Sequence, residues 1–142
     1  MIKSTLRKRK PAAANIRASL RKLLLDAGLR DAEVSVLLVG DRSMRTLNQQ
    51  YRGRDRTTDV LSFPLRGGRF SRIQSRLLGD IVISIPAAAR QAREQGETFR
   101  NEIDRLLVHG FLHLLGCDHE RGGTAARRME ARERRLREML QR

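Results

Sequence analysis

The chain has 142 residues, 39% of them hydrophobic, which suits one domain with a single core. Lys and Arg number 30 against 16 Asp and Glu, a formal charge of +14, so the expected partner is a polyanion and above all a nucleic acid. A solvated, Arg-rich surface would give the same charge. The single Cys117 excludes an internal disulfide and fits a reducing, cytosolic compartment. The basic start "MIKSTLRKRK" leads into no apolar signal core, and no run reaches membrane length, so no membrane role is expected.

In chain order, "NIRASLRKLLLDAGL" places Ile16, Leu20, Leu23 and Leu24 at helical spacing, with Gly28 as a stop. "VSVLLVG" (34–40) is short and β-branched, and reads as a strand. "DRSMRTLNQQYR" predicts a helix with Ser43 as N-cap and Met44 and Leu47 facing inward. "DVLSFPL" (59–65) and "LLGDIVISI" (77–85) predict two further strands, joined by the polar, glycine-containing loop "RGGRFSRIQSR". Ser84 and Pro86 open a helix as cap and first-turn proline, and Gly96 closes it.

The long pattern "ETFRNEIDRLLVHGFLHLLG" follows, with Thr98 as cap and Ile103, Leu106, Leu107, Phe111, Leu114 and Leu115 as its apolar face. From Thr124, a last amphipathic helix sets Ala125, Met129, Leu136 and Leu140 near one side. Residues 2–6 are a candidate fourth strand. The expected fold is α/β in the α+β sense: residues 1–142 as a single domain, a small mixed sheet of about four strands, four to five helices, and a basic N-terminal segment 1–14.

All three histidines fall within "HGFLHLLGCDH" (109–119). His109 and His113 are four apart on a predicted helix, so both imidazoles leave one face. Gly116 lets the chain turn just past the helix end, and His119 then returns as a third ligand. A lone histidine on such a face is usually packing; three at this spacing around a turn glycine point to a metal ion. Three neutral imidazoles suit zinc, one per chain, and leave a position open for chemistry. The spacing H-x-x-x-H-x-x-G-x-x-H is that of the metzincin proteases, but their glutamate after the first histidine is Gly110 here, so the base for peptide hydrolysis is missing. Cys117 reads as a small buried hydrophobe, and Asp118 as a turn residue or a support for a ligand imidazole.

Around "VHGFLHLLGCDHE" the chain resembles the YbeY family of bacterial endoribonucleases, or rRNA maturation factors. "LNQQYRGRDRTTDVLSFP" (47–64), "LLGDIVIS" (77–84) and "RRMEARE" are similar to further blocks of that family, so the likeness spans roughly residues 34 to 140. Cys117 departs from it, standing where an aromatic residue is common. The resemblance implies a zinc held by His109, His113 and His119 and cleavage of single-stranded RNA. It also implies maturation of the 3′ end of small-subunit (16S) rRNA, ribosome quality control, and a functional role for Arg52.

Chemistry agrees with that role, because phosphodiester cleavage builds negative charge that a metal and a planar guanidinium both stabilise. In so Arg-rich a chain, any one Arg is more often plain surface. The nucleophile is expected to be water or the RNA 2′-hydroxyl, and the general base has no assigned residue. Asp59 and Asp80 either position this region or cap turns. Aromatics are only 4%, so base stacking is expected to be sparse and binding to rest on phosphate. Two rival readings stand beside this one: another metallohydrolase acting on small phosphoesters or amides, and a non-catalytic ribosome-assembly factor whose metal staples the fold.

Overall fold

The computed structural model describes residues 2–4, 10–65, 76–117 and 123–142. The first strand, β1 (Ile2–Ser4), is followed by helix α1 (Lys10–Asp26) and strand β2 (Glu33–Val39). Helix α2 (Asp41–Arg52) leads to β3 (Val60–Pro64) and β4 (Leu77–Ser84). Three helices complete the order: α3 (Ile85–Gln95), α4 (Phe99–Leu114) and α5 (Gly123–Gln141). The strands form one mixed sheet, β1-β2-β4-β3, parallel except for the antiparallel edge strand β3. Among the described residues, the four strands and five helices are the α+β architecture expected from the periodicities, and residues 2–4 do supply the fourth strand.

Strand alternation divides the apolar side chains between two faces. Val34, Val36, Leu38, Ile81 and Ile83 face the main core, where Ile16, Leu20 and Leu23 of α1 and most of α4 join them. Met129, Leu136 and Leu140 of α5 complete that core. On the other face Val39, Leu61 and Val82 meet Met44 of α2, with Leu37, Leu47 and Phe63 half-buried at the margin. Among the described residues no helix is long and apolar enough to cross a membrane.

Ends follow the predicted chemistry at two helices. The Ser84 hydroxyl accepts from Ala87 N–H at 3.2 Å, Pro86 sits in the first turn, and Gly96 takes a left-handed conformation at the C-cap of α3. Thr98 Oγ1 accepts from Asn101 N–H at 3.0 Å at the start of α4. Three expectations are corrected. Ser43 is not the N-cap of α2: Gly40 is, and the helix begins at Asp41, whose carboxylate favours a helix N-terminus and is held by Arg90. Helix α1 starts at Lys10, five residues before the periodic stretch. Ala125 is exposed, so the buried stripe of α5 begins at Met129. The loop expected at 66–75 lies outside the described residues.

One buried carboxylate gives a testable consequence of packing. Asp104 on α4 is 3% exposed and accepts from Ser19 Oγ at 2.8 Å. Burial raises its pKa, an effect that Ser19, Arg100 and Lys22 oppose without cancelling. The folded state therefore binds the proton more tightly than the unfolded chain does. Stability falls as pH rises from the ordinary carboxylate value through the raised one, and at pH 7 the ionised group is a net burden. Asp104→Asn keeps an acceptor for Ser19 without the charge. Its melting temperature is expected to exceed wild type by a few degrees at pH 7, with the gap closing towards acid. Melts across that range check this, and a variant less stable than wild type at pH 7 contradicts it.

Candidate metal centre

His109 and His113 sit one turn apart on α4, and the structure brings their rings together. The centroids are 4.6 Å apart, the planes tilted by 59°, and both side chains are half-buried. Position 110, turned 100° from 109, points instead to the sheet and is a glycine where α4 crosses β4. At the helix end the chain turns as the glycine predicts. Gly116 has φ +90°, its N–H reaches His113 O at 3.0 Å, and Cys117 N–H reaches Leu112 O at 3.0 Å. Asp118 and His119 follow at once and lie outside the described residues. Among the described residues no group of three His, Cys, Asp or Glu side chains is placed to hold a metal, so the described part of the site is the imidazole pair and what supports it.

The support comes from α5. Glu133 Oε1 lies 2.9 Å from His109 Nδ1, with the two side chains 20% and 31% exposed. A carboxylate there favours the tautomer with hydrogen on Nδ1, so Nε2 is the nitrogen that a cation would use. Two imidazoles side by side are donors of a kind that would suit a divalent transition-metal ion. Sequence reasoning missed Glu133, although a signal was present. Met129, Glu133, Leu136 and Leu140 follow the i, i+4, i+7, i+11 pattern of a buried stripe, and the only charge in it is Glu133.

A second set of polar contacts lies one turn before His109. Arg105 Nε donates to the buried Glu102 at 2.7 Å, and its Nη2 to Gln91 Oε1 at 3.0 Å. Gln91 in turn donates to Asp59 Oδ2 at 3.2 Å, while Asp59 Oδ1 accepts from Val60 N–H at 2.8 Å. Burial works against the Arg105 charge, but the Glu102 hydrogen bond and the surrounding carboxylates outweigh it and raise its pKa. Asp59 therefore ties β3 to α3 and α4. Cys117 packs half-buried against the core, with Arg132 Nη1 3.7 Å from its sulfur.

Arg52 is on the other side of the sheet. It ends α2, is exposed, and makes no ion pair with any described residue. Gly53 caps the helix at φ +66°, and the buried Asn48 donates to Arg56 O at 2.8 Å, so the chain either side of Arg52 is tied down. Next to it, Tyr51 meets Phe63 of β3 edge-on, with centroids 5.0 Å apart, and is 64% exposed. Both rings line a groove of about 340 Å³ whose polar members are Ser35 and Asp80. Composition alone did not single out this aromatic pair. The last residues of β3 join the two sides. Phe63 bears Tyr51, while its carbonyl, Pro64 and the Leu114 side chain of α4 crowd Gly79 so closely that a side chain at 79 would collide with them. Arg52 follows Tyr51 at the end of α2 on one face of the sheet, while His109 and His113 belong to α4 on the other.

Comparison with known proteins gives one consistent result. The family model for Endoribonuclease YbeY matches residues 3–141. A curated Endoribonuclease YbeY of Anaeromyxobacter sp. (strain Fw109-5) is 50% identical over 125 residues, 88% of this chain and 63% of that protein. The protein of the same description from Geobacter metallireducens is 43% identical over 128 residues, 89% of this chain and 85% of that one. The chain therefore spans under two thirds of the first relative's length but most of the second's. Among solved structures, the solution structure of TM1509 from Thermotoga maritima superposes with a TM-score of 0.70 at 31% identity, covering 99% of this chain and 89% of that one.

Proposed function

Because the chain belongs to the endoribonuclease YbeY family, we propose that it is a metal-dependent endoribonuclease. Its substrate in this reading is single-stranded RNA, at the 3′ end of small-subunit rRNA. Its setting is the cytoplasm, in ribosome maturation and quality control, with residues 1–142 acting as one unit. The observation that carries the reading is the His109–His113 pair, braced by Glu133 and followed by a glycine turn that leads towards His119.

The metal is zinc, one per chain, with His109, His113 and His119 as ligands. Bound there, such an ion would supply Lewis-acid chemistry toward a phosphoryl oxygen and a water of lowered pKa. The chain's own side chains bind and orient the strand. Arg52 offers two parallel N–H groups to a phosphate and stabilises the charge that develops on it, a fork that Lys does not reproduce. Tyr51 gives an exposed ring for one base. The remaining affinity comes from the +14 surplus, part of it on Arg17, Arg21 and Arg30 around a groove of about 500 Å³, and binding falls steeply with salt. Position 110 faces the sheet and supplies no base.

The test is chelation and reloading. Protein purified without chelators is expected to carry one zinc and to cut a single-stranded RNA. Dialysis against a chelator abolishes cleavage, and stoichiometric zinc restores it. Full cleavage in metal-free protein sinks the reading. Stoichiometric zinc with no RNA cleavage, and a melting temperature that falls on chelation, would leave a non-catalytic assembly factor with a structural metal. Turnover of small phosphoesters without RNA cleavage would point to a different metallohydrolase.

A further inference from the structure

We propose that Glu133 is a positioning residue of the metal centre: from α5 it holds His109 through Nδ1 and aims Nε2 at the cation. The proposal rests on the reading of His109 as a ligand. The contact is 2.9 Å between groups 24 residues apart on different helices. It is thus a product of how α5 docks on α4 and not of local spacing. Glu133 also stands where packing alone would place an apolar residue, since its neighbours along the stripe, Met129, Leu136 and Leu140, are 3%, 1% and 4% exposed. A carboxylate at such a position is costly unless it is paired; Arg105 lies within electrostatic reach of it, and a hydrogen bond joins it to a group of the site. The negative charge makes the imidazole a better donor and fixes its ring plane, which raises metal affinity. The docking of α5 on α4 thereby becomes part of the metal site.

A purely structural role is the alternative: a staple between α4 and α5 whose loss weakens folding and leaves metal binding alone. Zinc affinity measured by competition with a chromophoric chelator separates the two in wild type, Glu133→Gln, Glu133→Leu and His109→Ala. Metal-free melts and visible spectra of the cobalt-loaded proteins accompany it. His109→Ala is expected to lose stoichiometric zinc. Glu133→Leu is expected to bind one zinc about 10- to 100-fold more weakly. Glu133→Gln, which keeps an acceptor without the charge, is expected to fall between Leu and wild type. The cobalt spectrum shifts in both Glu133 variants.

Wild-type affinity in Glu133→Leu, with zinc lost in His109→Ala, overturns the proposal and leaves the metal reading intact. Equal binding by wild type and His109→Ala overturns both. Weakened affinity without rescue by Gln, matched by an equal loss of metal-free stability, assigns Glu133 to structure alone and overturns the proposal. If Glu133→Leu does not fold, Glu133→Gln carries the test, and an unchanged affinity there overturns it.

Discussion

If the proposed function holds, His113→Ala is expected to remain folded, to lose the proposed zinc, and to cleave RNA on the order of a thousandfold more slowly than wild type. The fold survives because His113 is half-buried at the C-terminal turn of α4 and contributes little to the core. Alanine is also the better helix former, by roughly 0.5 kcal/mol. In the proposed reading the metal would not survive, because two imidazoles alone would not complete the three-ligand set proposed to hold it with a position open. Without the ion, several kcal/mol of transition-state charge stabilisation disappear, and each 1.4 kcal/mol is about tenfold in rate. Elemental analysis, far-ultraviolet circular dichroism and a single-turnover RNA assay read the three quantities separately. A folded, zinc-free His113→Ala that cleaves at the wild-type rate would remove the metal from the mechanism. An unfolded variant would mean the ion staples the chain.

What the sequence disclosed, and what it did not, divides along the range of the interactions. His109 and His113 are neighbours through helical periodicity alone, and Gly116 announces its turn through a backbone freedom that other residues lack, so this half of the site is legible in the residue order itself. Ser84, Pro86 and Thr98 are legible for the same reason, since a cap is a contact between residues three apart. Asp41 is different. It starts α2 earlier than Ser43 would, and the arginine that holds it is 49 residues away on α3. Glu133 and the Tyr51–Phe63 pair belong with Asp41, because their partners come from separate elements. A sequence shows such a contact only as an anomaly, and a glutamate within an apolar stripe is one. Arg52 showed no anomaly among so many arginines; family resemblance alone drew attention to it.

The same distinction explains Gly110, which marked the departure from the metalloprotease pattern. Restoring that pattern with Gly110→Glu is expected to give insoluble or unfolded protein and no new hydrolytic activity. A Cβ at 110 would stand 3.0 Å from Ile81 Cγ2 and 3.3 Å from both Cδ1 and Cγ1, closer than ordinary packing allows. Ile81 is fully buried at the centre of the main core, with β2 and β3 paired to its strand on either side, so it has little room to yield. Overpacking of this kind costs about 1–3 kcal/mol, and an unpaired carboxylate driven into the same space adds several kcal/mol more. Against a total stability of roughly 5–15 kcal/mol, that is enough to unfold the chain. Gly110→Ala separates the two terms. It adds the Cβ without the charge, and about 1 kcal/mol of helix propensity offsets part of the overpacking, so it should stay folded but be about 0–2 kcal/mol less stable than wild type. Soluble yield and thermal melts decide the matter. A soluble Gly110→Glu with the wild-type melting temperature would mean that α4 can lift from β4, and that its glycine is not there for the close crossing.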